Sequence, residues 1–236
     1  MRGIVLRLGI KQRKSHRRQQ ARYQLRGILL GLQISDDDLG RLPHAIERDK
    51  AGLPTHSWRF MAVRDYFGGM CDFYGQDARA AYSEPWDGPG NLRYYEGPHS
   101  GSTASPSAFI DSTRPGNKTR FVAIVGPGTA FEEGRSVRFA DLPPDMILVV
   151  EVRNSDQHWM EPGGDLHIDE MPQRIDRESG KGISGQEPEG FLVGFASGEA
   201  WMLSNDVPVS LMSRFFTIES ARTRSREGQL REYRIL

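Results

Sequence analysis

GFLVGFASGEAWMLS, residues 190–204, is the stretch that decides the fold. Two runs of aromatic, aliphatic and β-branched residues, FLVGF and AWMLS, flank the small polar segment ASGE. Runs of this composition favour strands, and a short Gly-containing connection between them is typical of a β-hairpin. The stretch therefore predicts two antiparallel strands joined by a turn at ASGE.

Two further strands are predicted before this hairpin. TRFVAIVG (119–126) and DMILVVEVR (145–153) are rich in Val, Ile and Phe and are bounded by Gly, Pro or Asp, residues that commonly flank strands. After the hairpin, NDVPVSLMSRFFTI (205–218) is typical of a short capped helix. The charged tail at 220–236 is expected to fray.

A helix is predicted before the strands. Residues 11–33 lack proline and are rich in helix formers, and SDDDLG (35–40) is expected to end the helix. Its second half carries a partial apolar stripe made of Tyr23, Leu25, Ile28, Leu29 and Leu32. One helix followed by clustered strands indicates the α+β class rather than alternating α/β.

The region between the helix and the strands is less regular. HSWRFMAVRDYFGGMCDFYG (56–75) predicts a short helix or an extended segment. Its predicted core residues are Trp58, Phe60, Met61, Tyr66 and Phe67. The small polar residues of 96–118 predict a flexible loop. The one cysteine, Cys71, excludes an internal disulfide and is expected to be an apolar filler.

Charge is distributed unevenly along a chain whose formal net charge is zero. Residues 1–34 carry nine Lys and Arg and no acid, whereas the rest holds 22 basic and 31 acidic residues. This pattern predicts a basic helical arm at 1–34 and a globular head at 35–236. Such an arm suits anionic lipid or protein partners, or it neutralises the acidic body of its own chain. No nucleic acid is expected because no nucleic-acid-binding motif or interleaved aromatic residue accompanies the charges.

No apolar window approaches the roughly 18–20 residues of a membrane span. The first residues, MRGIVLRLGIKQRK, lack a cleavage site, and Arg7 interrupts their apolar run. As written, the chain is expected to be cytoplasmic. An in-frame leader encoded upstream would instead anchor it in the membrane or cell envelope.

HWMEPGGDLHIDE (158–170) groups acids and histidines densely enough to suggest a metal site. Glu161, Asp165 and Asp169 would be the oxygen ligands of a calcium-type site. The alternative is a solvated corner of the sheet in which Trp159 packs and the acids cap the start of a helix at DLHIDEM.

Catalytic patterns are not found. GPGTAFEEG (126–134) follows a strand but lacks the Lys and Ser or Thr of a phosphate-binding loop, so it predicts a β-turn. No G-x-S-x-G elbow is present, and the six histidines occur in no triad context. These patterns do not exclude an enzyme but give it no support, so we expect a non-enzymatic protein without a cofactor.

Several of these segments together carry a family resemblance. HSWRFMAVRDYF, EPWDGPGN, FVAIVGPGTAFEEGRSVRFADL, ILVVEVRNSDQHWMEP and DLHIDEM occur in this order between about Leu53 and Ile218. In order and spacing they resemble the prepilin-like domain of unknown function fifteen-fifty-nine, a pseudopilin-like family expanded in planctomycete genomes. The resemblance implies a pilin-like fold, with a long N-terminal helix on an antiparallel sheet and corners, not a catalytic centre, at GPGTAF and HWMEP.

The chain departs from the family pattern at both ends. It lacks the G-F-T-L-x-E peptidase site and the apolar anchor helix. Near the C-terminus, Glu187 stands where the family has His, and Ser197 stands where it has Asp. Gly190 and Gly198 are expected to keep the turn geometry through positive φ.

Two functions follow as the main expectations, and a hydrolase that uses the acidic loop at 158–170 ranks third. The first is a non-enzymatic, pseudopilin-like structural or assembly protein of the type II secretion kind, degenerate relative to its family. The second is a soluble ligand- or partner-binding domain whose basic arm at 1–34 docks on anionic lipid or protein.

Overall fold

The computed structural model describes residues 2–62, 84–96, 110 and 115–235. Its strands are β1 (Ile46–Arg48), β2 (Pro54–Ser57), β3 (Phe121–Val125), β4 (Ile147–Glu151), β5 (Leu166–His167), β6 (Gly190–Phe195), β7 (Ala200–Ser204) and β8 (Arg234–Ile235). Its α-helices are α1 (Arg2–Leu39), α2 (Pro89–Glu96), α3 (Val209–Met212), α4 (Ile218–Arg222) and α5 (Arg226–Gln229). Short 3₁₀ turns lie at Phe139–Asp141, Ile168–Glu170, Ser213–Phe215 and Arg231–Tyr233.

The strands form two sheets. β1 and β2 make an antiparallel pair, and the main sheet has the order β5-β3-β4-β6-β7-β8. Only β5 runs parallel to its neighbour, β3, while the other neighbours in the main sheet are antiparallel. A long helix with a mostly antiparallel sheet confirms the predicted α+β class.

The predicted hairpin is present as β6 and β7, in register from Gly190 opposite Ser204 to Gly194 opposite Ala200. Gly198, with φ of 81°, forms the turn, and its N–H donates to the carbonyl of Phe195 at 2.9 Å. Positive φ at Gly198 is therefore confirmed.

Both faces of the main sheet are covered. Alternate residues of β3 serve the two sides: Phe121 and Ala123 join the core beneath α1, and Val122 and Ile124 join the core on the opposite face. The α1 side buries Leu25, Ile28, Leu29 and Leu32, and the other side buries Met212, Phe215 and Phe216 of the C-terminal turns. Burial on both faces explains why the strands read as continuous apolar runs.

The helix extends beyond its predicted end. SDDDLG ends α1 as predicted, but only at Leu39, before Gly40 with φ of 71°, so the helix includes most of this segment. Ser35 donates to the carbonyl of Met61 at 3.1 Å, and Asp36 accepts from Phe139 N at 3.0 Å and Arg138 Nε at 3.1 Å. These residues satisfy tertiary partners instead of competing with their own backbone, so the helix persists. The boundary predicted at residue 34 falls inside α1.

The prediction that the tail at 220–236 frays is wrong. Arg234 and Ile235 form β8, which pairs with β7, and Leu230 is fully buried. Arg226 donates to Ser197 and forms ion pairs with Asp145 and Glu199, and Arg234 lies 4.3 Å from the centre of the Trp201 ring. The charges of the tail therefore attach it to the sheet.

The prediction for 56–75 can be compared with the structure only up to residue 62. Residues 58–62 are helical, and Trp58, Phe60 and Met61 are buried as predicted. Tyr66, Phe67 and Cys71 lie outside the described residues, as does most of the predicted 96–118 loop.

Candidate functional site

The acidic corner at 158–170 is organised by a buried ion pair. Arg59, fully buried, donates from Nη1 to Asp165 Oδ1 at 2.8 Å, and the Asp165 side chain is 3% exposed. The same Oδ1 accepts from Trp58 Nε1 at 2.9 Å and from the backbone N–H of Ala123 at 2.9 Å. One carboxylate oxygen thus joins the 58–62 helical segment, β3 and the corner.

Arg59 also holds the backbone of the corner in place. Its Nε donates to the carbonyl of Trp159 at 3.1 Å, and its Nη2 donates to those of Glu161 and Gly163 at 3.2 and 2.8 Å. Buried side-chain donors that are hydrogen-bonded in this way are typical of residues that stabilise the fold. Trp159 is fully buried, as the solvated-corner alternative requires, but His167, not an acid, caps the 3₁₀ turn at Ile168–Glu170 by accepting from Asp169 N.

The three carboxylates of the calcium hypothesis do not converge. Asp165 is committed to Arg59, Glu161 Oε2 accepts from His158 N at 3.3 Å, and Asp169 lies at the exposed 3₁₀ turn beside His167. Of the residues that the structure describes, no three His, Cys, Asp or Glu side chains are grouped to hold a metal ion. Calcium binding here stays a prediction, which calorimetry with millimolar calcium tests.

The GPGTAF segment has the geometry of a turn. Thr129 donates to the carbonyl of Gly126 from its N–H at 3.2 Å and from its hydroxyl at 2.8 Å. Gly126 and Gly128 have positive φ, which only glycine adopts without strain. The predicted β-turn is confirmed.

The two positions that depart from the family pattern lie beyond opposite ends of β6. Glu187 Oε2 lies 3.5 Å from Arg18 Nε of α1, and Ser197 Oγ accepts from Arg226 Nη1 at 2.7 Å. Each side chain therefore ties a different helix to the sheet.

Gly190 differs from its prediction. Its φ is not positive, and a Cβ built on it would lie 2.0 Å from the carbonyl oxygen of Leu203. The absence of space in the paired strands, not backbone conformation, therefore requires glycine at this position.

A cleft lies between α1 and the main sheet, with a volume of about 280 Å³. We call it the α1 cleft. Its floor is apolar and includes Ala21, Leu192 and Met202, and its charged lining residues are Arg17, Arg18, Arg120, Glu151 and Glu187. Arginines of α1 and of the residue before β3 thus line the same cleft.

The outer face of α1 carries apolar residues that the sheet does not cover. Tyr23 is 64% exposed and Leu30 is 46% exposed, and Ile34 is half-buried. Gly27 lies between them, and a Cβ built on it would meet nothing within 4 Å. Residues 23, 27, 30 and 34 share one side of a helix because three or four residues complete about one turn. We call these four residues the outer stripe.

Positive charge concentrates next to this stripe. Burial, followed by the neighbouring charges of Arg234 and Arg26, lowers the pKa of Arg22. Like charges on α1 and β8 therefore lie close together.

Within the part of the chain that the structure describes, no helix combines the length and apolar character that a membrane span requires. Comparison with protein-family models, with curated proteins and with solved structures finds no match to this chain.

Sequence reasoning did not identify the roles of Arg59, Arg18 and Arg120. For Arg59 a signal existed, because an arginine inside the aromatic run SWRF is surrounded by core residues and needs a buried partner. Arg18 and Arg120 carried no local signal, since their surroundings are set by the contact between α1 and the sheet.

Proposed function

We propose that this protein is a non-enzymatic, pilin-like assembly protein, related to the prepilin-like family that its sequence resembles. The observation that carries the proposal is α1, whose inner face packs on the main sheet while the outer stripe remains exposed. The partner of the outer stripe is a second copy of this chain.

The outer stripe has the features of a helix-packing surface. Single exposed apolar residues are common on protein surfaces. Here Tyr23 and Leu30 are aligned on one side of a helix, and Gly27 between them lets another backbone approach closely. A 4-3-4 spacing is that of the apolar seam in paired helices.

The charges of α1 favour pairing with a copy of itself. Arg26 and the exposed Asp37 are eleven residues apart, about 16 Å along the helix axis, and eleven residues make just over three full turns. Two parallel α1 helices offset by this distance would place Arg26 of one beside Asp37 of the other. The same offset places Tyr23 beside Ile34, so the apolar and charged contacts form together.

The double substitution Tyr23→Ser and Leu30→Ser is expected to weaken self-association roughly tenfold or more, because it removes most of the apolar area of the outer stripe. Sedimentation equilibrium over a concentration series measures this. Leu53→Ser is the matched control, since Leu53 is 62% exposed but lies between β1 and β2. A wild-type protein that stays monomeric up to millimolar concentration would contradict the proposal.

A second candidate function is docking of the basic arm on an anionic lipid surface. The observation that favours it is the crowding of Arg22, Arg26 and Arg234, whose mutual repulsion an anionic surface would relieve. Deleting residues 1–34 would not test it, because Leu25, Ile28, Leu29 and Leu32 belong to the core.

The full-length double variant Arg22→Gln and Arg26→Gln tests lipid docking. We expect it to bind vesicles containing phosphatidylserine about fivefold more weakly per arginine removed, because each basic residue near such a surface contributes about 1 kcal/mol. Co-sedimentation with vesicles at low and high salt gives the measurement. Arg135→Gln with Arg174→Gln is the charge-matched control, as both are exposed and lie outside α1. Equal binding by the two double variants would exclude docking through α1.

A further inference from the structure

The charged groups of the α1 cleft are not equally available to a ligand. Glu151 is 4% exposed, and its two carboxylate oxygens accept from the backbone N–H groups of Gln186 at 3.3 Å and Leu192 at 3.0 Å. This acid is therefore used in holding the sheet together. The arginines of the cleft come from α1 and from the residue before β3, so their charges converge from two sides.

Among the residues that the structure describes, two of these guanidinium groups have a buried N–H without a hydrogen-bond acceptor. Arg18 pairs with Glu189 through Nη2 at 2.9 Å, but its Nε lies 3.5 Å from Glu187 Oε2 and makes no hydrogen bond. Arg120 Nε is likewise buried and has no hydrogen-bond partner in the described part of the chain. Buried N–H groups are nearly always paired, so the Arg120 donor indicates an acceptor that the described residues do not supply, whereas Arg18 Nε has the Glu187 carboxylate nearby.

Arg120 is held in position for such an acceptor. Its Nη2 donates to Gln24 Oε1 of α1 at 2.9 Å, and its guanidinium carbon lies 4.9 Å from the centre of the Phe121 ring. A guanidinium oriented in this way presents its remaining N–H groups as a rigid fork. That fork matches the two oxygens of a carboxylate.

We propose that the α1 cleft binds a small organic anion through a carboxylate group held by Arg120 and Arg18, with the apolar part of the ligand on the floor of Ala21, Leu192 and Met202. A single negative charge is favoured, because Glu151 and Glu187 also line the cleft and repel a dianion such as phosphate. The volume of about 280 Å³ suits a small ligand. This binding does not depend on assembly, since the cleft lies within one chain.

The probes are N-acetyl-leucine and its neutral amide, N-acetyl-leucinamide, added to the full-length ¹⁵N-labelled protein. Nuclear magnetic resonance reports the Nε–H groups of arginine directly. We expect the signals of Arg18 and Arg120 to shift with the carboxylate and to stay unchanged with the amide. Unmoved signals at millimolar N-acetyl-leucine, or equal binding of the amide, would overturn the proposal.

A longer peptide distinguishes two sources of the carboxylate, the C-terminus of a polypeptide and a free organic acid. An octapeptide ending in leucine with a free carboxylate is compared with N-acetyl-leucine. Equal or tighter binding of the octapeptide identifies the C-terminus of a polypeptide as the ligand, and weaker binding identifies a free organic acid. Binding of neither would exclude the site.

Arg120→Gln supplies the test by substitution. We expect it to weaken binding of N-acetyl-leucine roughly tenfold or more, because it removes a charged hydrogen-bond donor. Arg135→Gln is the control, since Arg135 is exposed, pairs with the loop residue Glu132 and does not line the cleft. Circular dichroism establishes that both variants are folded. Equal affinity in the two variants would contradict the role of Arg120.

Discussion

Asp165→Asn is expected to lower the free energy of unfolding by about 3–5 kcal/mol. The substitution keeps the shape of the side chain and an oxygen that can accept from Trp58 and Ala123. It removes the negative charge beside Arg59, which is fully buried and cannot regain water in the folded protein. The cost is that of leaving one charge of a buried pair without its partner. Denaturation in urea, followed by tryptophan fluorescence, measures the change.

Glu133→Gln is the matched control for this prediction. It breaks the Arg48–Glu133 ion pair, whose N–O distance of 3.1 Å is close to that of Arg59–Asp165 but whose side chains are 39% and 85% exposed. Water and salt screen such a pair, so we expect a loss of about 1 kcal/mol or less. A comparable loss in both variants would mean that burial does not control the strength of the Arg59–Asp165 pair.

Gly190→Ala is expected to destabilise the protein by about 3 kcal/mol, the upper part of the usual range for overpacking. The added methyl group would lie 2.0 Å from the carbonyl oxygen of Leu203 and 2.9 Å from Ile235 Cδ1. Relief of the clash requires β6 and β7 to separate where their pairing begins. Thermal unfolding followed by circular dichroism measures the loss.

Gly198→Ala tests whether space or backbone conformation is the larger constraint in this hairpin. A Cβ at Gly198 would meet nothing within 4 Å, but φ there is 81°. An alanine in this conformation costs about 1–2 kcal/mol. We therefore expect Gly190→Ala to be the more destabilising of the two, and the reverse order would show that the strands accommodate the methyl group.

Local sequence patterns predicted a helix, strand or turn well where the residues that form it also determine its conformation. The β6–β7 hairpin, β3, β4, the turn at GPGTAF and the short helix after residue 205 follow from runs of residues that are contiguous in the chain. The order of the tail was predicted wrongly, and α1 runs several residues beyond the predicted helix before it ends within SDDDLG, because distant contacts decided both. Asp36 bonds Arg138 and Phe139, and Arg226 bonds Asp145 and Ser197.

The acidic corner shows why composition alone does not identify the partner that Asp165 has in the structure. Acids and histidines at close spacing are compatible with metal ligands, but the sequence does not indicate which carboxylate turns inward. In the structure Asp165 turns toward Arg59, and Asp169 remains at the surface. The orientation of each side chain depends on how the corner packs against the 58–62 segment.

The sequence by itself determined the α+β class, the hairpin and the strands beside it, because the spacing of apolar residues and turn residues acts over a few residues. Only the tertiary structure decided the Arg59–Asp165 pair, the α1 cleft and the outer stripe of α1. Arg59 and Asp165 are 106 residues apart, and Arg120 and Gln24 are 96 residues apart. Contacts over such separations form only when α1 and the main sheet bury their apolar faces together, so no local pattern can specify them.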